Sequence, residues 1–145
     1  MFQHILIPTD GSELAETAIR YGVALAKEQG AKITAITVSR PFHVVTLEPG
    51  MLADTPEVYA KHVAERTRKY LYVVSKAAEA AGVTCDAVSL EHDQPYQAII
   101  EAARKRNCDL IVMSSHGRSG MSAIVLGSQT LKVLTHSKLP VLVYR

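Results

Sequence analysis

The stretch Asp109–Thr130, DLIVMSSHGRSGMSAIVLGSQT, carries the densest set of residues able to do chemistry. Its apolar run, Leu110-Ile111-Val112-Met113, reads as a short buried strand. Ser114 and Ser115 follow, then His116-Gly117-Arg118-Ser119-Gly120. After a second apolar patch, Gly127-Ser128 opens a pattern that reads as a helix to His136. A strand that ends in a glycine-containing loop, with a helix start a few residues on, suits phosphate. Free N–H groups in such a loop and at a helix N-terminus attract anions. Gly117 and Gly127 would let the backbone approach a ligand with no Cβ in the way. Ser128 offers a hydroxyl and an N–H, and Gln129 and Thr130 add first-turn donors. Arg118 could neutralise phosphate charge. Each has a plainer reading beside it: Ser128 as a helix cap, Arg118 as an exposed loop residue.

His116 does not read as catalytic, because no partner stands at nucleophilic spacing. The other histidines, His43, His62 and His92 among them, form no metal-ligand motif. No catalytic residue and no protein metal ligand are expected.

The elements that must position this stretch alternate. Ile5-Leu6-Ile7 marks a first strand that Pro8 ends. Thr9-Asp10-Gly11-Ser12 is a turn with helix-capping chemistry, and a helix follows with Leu14, Ala18, Ile19, Gly22, Val23 and Ala26 on one face. Gly30 closes it. Lys32–Val38 is a second strand. Arg40–Thr55 reads as irregular, either a loose insertion or a flap or partner contact. Thr55-Pro56 starts a long helix, with Val63, Tyr70, Val74, Ala77 and Ala81 expected on its inner face and Gly82 at its end. A third strand covers about Thr84–Leu90, with Cys85 expected on a buried face alongside Val83 and Ala87. Asp93 and Pro95 signal a third helix carrying Ala98, Ile99 and Ala102 inward, and Pro140–Tyr144 is a fifth strand. Strand–helix alternation of this kind argues for a parallel sheet with helices on both faces. Ligands then sit beyond the carboxyl ends of the strands, where strand order reverses.

The spacing from Gly117 through nine residues to Gly127-Ser128 resembles the nucleotide-binding signature of the universal stress protein family, G-x2-G-x9-G-[S/T]. The second and third glycines and the hydroxyl residue match; Ser114 stands where the first glycine would be. The resemblance extends over the whole chain, from IPTDGS near the start to LPVLVYR at the end. It implies one domain over residues 1–145 with an open five-stranded sheet in the order 3-2-1-4-5, Rossmann-like and of the adenine nucleotide alpha hydrolase type. The reversal then falls between strands one and four, which end at Thr9-Asp10 and Met113-Ser114. The resemblance also implies an adenine nucleotide, ATP or else AMP or ADP, with Mg or Mn held by phosphates and water. Pro8, Thr9 and Asp10, with Val38 and Met113, would flank the nucleoside. Ser114, His116, Gly117, Arg118, Gly127, Ser128, Gln129 and Thr130 would surround the phosphates. Asp10 has a rival reading as a helix cap, and Val38 and Met113 as ordinary packing. A homodimer through Val141, Leu142, Val143 and Tyr144 is implied as well.

Composition narrows the alternatives. With 145 residues, 48% of them hydrophobic, the chain can bury a core. A formal net charge of +2 gives no argument for nucleic acid, and the run Arg104-Lys105-Arg106 suits a helix C-terminus. No run approaches a membrane span. The absence of a leader-like apolar segment after Met1, with Cys85 and Cys108 at no redox or metal spacing, leads to the expectation of a cytoplasmic protein with both thiols reduced. The leading function is a dimeric, nucleotide-binding sensor or regulator of the stress response. A slow ATPase and a scaffold that binds no nucleotide are the competitors. PTDGSE lacks the paired glycines of an SGGxDS pyrophosphatase, and Asp10 lacks the acidic neighbour of a phosphorylated receiver.

Overall fold

The computed structural model describes residues 1–43, 55–118 and 126–145. Most of the irregular stretch expected at Arg40–Thr55, and Ser119–Val125, lie outside the described residues. The elements are β1 (His4–Pro8), α1 (Glu13–Gln29), β2 (Lys32–Ser39), α2 (Pro56–Ala81), β3 (Cys85–Glu91), α3 (Pro95–Lys105), β4 (Leu110–Ser114), α4 (Ser128–His136) and β5 (Val141–Tyr144). They form a five-stranded sheet in the order β3-β2-β1-β4-β5, with every pairing parallel. This is the order that the family resemblance implies.

Period-two alternation along the strands divides the core between two faces. Ile5 and Ile7 of β1, with Ile33, Ala35, Leu110 and Val112, meet Ile19 and Val23 of α1 and Leu71, Val74 and Ala78 of α2. Leu6, Ile36, Ile111 and Met113 point the other way, against Ile99, Ala102 and Ala103 of α3 and Val133 of α4. Local chemistry sets the helix ends. The Ser12 side chain accepts from the Ala15 N–H at 3.1 Å, and Thr55 does the same for Val58 at 3.2 Å. Left-handed Gly30 and Gly82 close α1 and α2.

Two expectations need correction. The buried line of α2 is Thr67, Leu71, Val74 and Ala78; Val63 and Tyr70 are only half-buried. The apolar spacing was right, but the upper half of the helix has no strand beneath it. Twenty-six residues span about 39 Å as a helix, whereas the eight residues of β2 span about 26 Å. Cys85 is half-buried and Ala87 exposed, because β3 ends the sheet and only one of its edges is paired. Cys85 and Cys108 are both free thiols. Burial pushes the Cys108 thiol up to about 11, helped by the charge of Asp109, so it stays protonated and inert.

At the opposite end of the sheet from the loops discussed below, the Asp109 carboxylate accepts from the N–H groups of Gln3 and His4, at 2.8 and 3.0 Å. This joins the starts of β1 and β4. His4 is 5% exposed and shares a 2.8 Å hydrogen bond with the Thr34 hydroxyl. Burial first, then the charge of Lys32, lowers its pKa below the usual 6.5, against opposing contributions from the Arg106 backbone, Asp109 and Asp86. The folded state therefore resists protonation more than the unfolded chain does. The stability tied to neutral His4 is complete above the unfolded value, about 6.5, and is lost as pH falls through the lower folded value. The denaturation midpoint should drop between pH 7 and 5, and His4→Gln should flatten that slope. Parallel slopes for the two proteins in urea titrations at several pH values would show that His4 is not the cause.

Candidate functional site

The carboxyl ends of β1, β2 and β4 open into a cleft of about 950 Å³, near the upper end of the ~300–1,000 Å³ common for small-molecule sites. β1 separates β2 on one side from β4 on the other, and this is where strand order reverses.

The floor is laid by the turn after β1. The Thr9 N–H donates to the Ile36 carbonyl at 2.9 Å. The Thr37 hydroxyl donates to the Thr9 carbonyl at 3.0 Å. Asp10 accepts from the Ser12 N–H at 3.0 Å through Oδ1 and from the Arg118 N–H at 2.9 Å through Oδ2. Asp10 therefore does more than shape its own turn: it ties the loop after β1 to the loop after β4. Helix capping at α1 falls to Ser12 instead.

The loop after β4 is drawn against the start of α4. The Ser115 N–H donates to the Tyr144 carbonyl at 2.7 Å, and the Ser115 carbonyl accepts from the Gly127 N–H at 2.6 Å. A Cβ on Gly127 would lie 3.1 Å from His116 Cα, and one on Gly117 would overlap the Asp10 carboxylate. The space that these glycines leave is thus filled by protein. Their role is to let two loops close on each other, which in turn shapes the rim of the cleft. Ser114 ends β4, and among the described residues Asn107 is the only non-glycine with positive φ. Serine is therefore unstrained where the signature has its first glycine.

The donors expected at α4 divide into two groups. The Thr130 hydroxyl donates to the Ser114 carbonyl at 2.9 Å. The Gln129 side-chain oxygen accepts from the Tyr96 N–H at 3.0 Å. That bond satisfies the first turn of α3, whose N-cap, Gln94, makes no side-chain bond; Asp93, expected to signal that helix, pairs with His43 at 2.7 Å. These two side chains hold the walls together. The Ser128 hydroxyl and the first-turn N–H groups of α4 remain, with no side-chain cap from Gly127. His116 Nδ1 shares a 3.1 Å hydrogen bond with the Ser115 hydroxyl.

All the site positions read from the sequence line this cleft: Pro8, Thr9, Asp10, Val38, Met113, Ser114, His116, Gly117, Arg118, Gly127, Ser128, Gln129 and Thr130. Sequence reasoning missed the wall that α2 contributes through Tyr59, His62, Val63, Arg66, Thr67 and Tyr70. Val63 and Tyr70 read in the sequence as part of the inner face of α2, and the spacing singles out none of the other four. Among the described residues, Arg66 and Arg118 line the cleft with one carboxylate, Asp10, both of whose oxygens already accept an N–H. Pro8, Ile36, Val38, Ile99 and Met113 supply an apolar lining. An apolar lining beside excess positive charge and free amides suits an anion that carries a flat apolar group. Among the described residues, no three His, Cys, Asp or Glu side chains converge to hold a metal, and no helix is long and apolar enough to cross a membrane.

Comparison with known proteins agrees with this architecture. Universal stress protein MJ0531 of Methanocaldococcus jannaschii is 34% identical over 148 aligned positions, covering all of this chain and 83% of that protein. The solved structure of MJ0577, from the same organism, superposes with a TM-score of 0.81 at 29% identity, over 99% of this chain and 95% of that one. A universal stress protein solved in complex with cAMP has a TM-score of 0.74 over 99% of this chain and 97% of its own, and at 24% identity it speaks to the fold alone. The sequence profile of the universal stress protein family matches residues 1–145. With that match over its whole length, and with the family's glycine spacing built into the rim of the cleft, the chain belongs to the universal stress protein family.

Proposed function

We propose that this protein binds an adenine nucleotide in the cleft, ATP ahead of ADP or AMP, and works as a homodimeric, cytoplasmic sensor or regulator in the stress response. One observation carries the reading. The glycine loop, the uncapped start of α4 and the arginines open onto the same cleft as the apolar ends of β1, β2 and β4. The base would lie by Val38 and Met113 with Asp10 toward the ribose, and the phosphates over Gly117, Gly127 and Ser128. The relative solved with cAMP lends support, since its fold accommodates an adenine nucleotide. Mg or Mn would be carried by phosphate oxygens and water. Small molecules released from the purified, denatured protein should include ATP, ADP or AMP by mass spectrometry, and calorimetry should detect ATP binding. A protein that emerges empty and gives no heat with any of the three would leave the scaffold reading in place.

Turnover should be slow. Both Asp10 oxygens are held by backbone N–H groups and the hydrogen bond of the His116 ring is to a hydroxyl, so neither is a base oriented by a carboxylate partner of the kind that activates water. No Walker-type lysine follows the glycines. Phosphate release at about 1 s⁻¹ or faster, the ordinary enzyme range, would make this an ATPase instead.

A further inference from the structure

The wall formed by α2 contains a cation that the glycine signature does not include. Arg66 lines the cleft from an exposed position on the helix. Tyr70, four residues on, is where α2 meets the loop after β4. A Cβ on Gly11, which has φ +75°, would overlap the Tyr70 ring, so the ring is seated on the turn before α1. The Arg118 guanidinium lies 5.9 Å from the centre of that ring, with a long 3.5 Å contact from Nη1 to the Tyr70 hydroxyl. Residues four apart lie on one helix face, about 6 Å from each other. Arg66 therefore stands one turn above the place where Arg118 rests. The two arginines come from different elements, α2 and the loop after β4, and both line the cleft that holds Asp10.

We propose, on the nucleotide-binding reading above, that Arg66 and Arg118 form a two-sided clamp on the phosphates beyond the first, and that Arg66 makes the protein prefer nucleoside di- and triphosphates to monophosphates. The amides at the start of α4 suffice for one phosphate. Each added phosphate brings charge that those amides do not neutralise, and a guanidinium takes two phosphate oxygens at once. Arg66 comes from the α2 wall and not from α4, so its contribution grows with the length of the tail.

Titration calorimetry of ATP, ADP and AMP against the full chain, Arg66→Gln and Arg66→Lys tests this. Arg66→Gln should weaken ATP about tenfold, the size of one charged hydrogen-bonding group, while AMP stays within about twofold. Arg66→Lys should fall between the two for ATP, since it keeps the charge and loses the fork. An unchanged ligand-free melting temperature should show that the fold is intact. Equal weakening of ATP and AMP, or no change in either, overturns the clamp while leaving nucleotide binding in place. Wild-type protein that binds none of the three overturns both.

Discussion

Gly127→Val is expected to remove most of the nucleotide affinity while the sheet stays folded. The Gly127 N–H donates to the Ser115 carbonyl at 2.6 Å, and a Cβ there would lie 3.1 Å from His116 Cα and 3.3 Å from that same carbonyl oxygen. The obstacles are backbone atoms, which cannot rotate aside as a side-chain end can. Valine adds two methyl groups to the crowding, so the first turn of α4 must shift away from the loop after β4. Ser128 and the first-turn amides move with it, and Thr130 is pulled from the Ser114 carbonyl. Most of the core is anchored by β1, β2 and β4 against α1, α2 and α3, and Val133 keeps the later part of α4 in it, so the displacement falls on the first turn of α4. A loss of about 2 kcal/mol or more is expected for a disruption of this kind, about thirtyfold in affinity. Calorimetry with ATP on the folded variant measures it. Unchanged affinity would remove Gly127 and the start of α4 from the phosphate site.

Val143→Pro is expected to turn the proposed homodimer into a monomer. β5 is the outer strand of the sheet, and apolar edge strands invite pairing. Leu142 is 42% exposed, and Tyr144 stacks on the half-exposed ring of Tyr21 at 4.7 Å. The register shows which backbone groups face outward. The Ile111 N–H donates to the Pro140 carbonyl and the Ser115 N–H to the Tyr144 carbonyl, with Ile111 opposite Val141. In a parallel pair this turns residues 140, 142 and 144 toward β4. The N–H and C=O of Val141 and Val143 then point to the free edge, where an antiparallel copy about a two-fold axis could satisfy them. Leu142→Pro would instead strike the β4 pairing inside each protomer. Proline at 143 removes an outward donor on an edge strand, where the ring is tolerated. A two-fold interface counts the change twice, so at about 1 kcal/mol per hydrogen bond dimerisation should weaken at least about thirtyfold. Light scattering checks both proteins, and wild-type protein that is monomeric at micromolar concentration defeats the idea.

What the sequence determined by itself was whatever depends on near neighbours along the chain. Ser12, Thr55, Gly30 and Gly82 mark helix ends because their chemistry acts over one turn. Apolar runs such as Ile5-Leu6-Ile7 and Leu110–Met113 announce strands buried on both faces. The alternation of elements was enough for a parallel sheet with helices on both faces, and the resemblance carried by the glycine spacing after β4 supplied the sheet order and with it the corner where the cleft opens. Only the tertiary structure decided what the glycines touch, since the Asp10 carboxylate that meets Gly117 arrives from the far side of the strand-order reversal. It alone gave Gln129 to the first turn of α3, and it alone assigned Val63, Arg66 and Tyr70 to the cleft. Periodicity tells which residues share a face of α2; it does not tell how far the sheet extends beneath that face. Because α2 outruns β2, its lower turns bury Leu71, Val74 and Ala78, and its upper turns are left to wall the cleft.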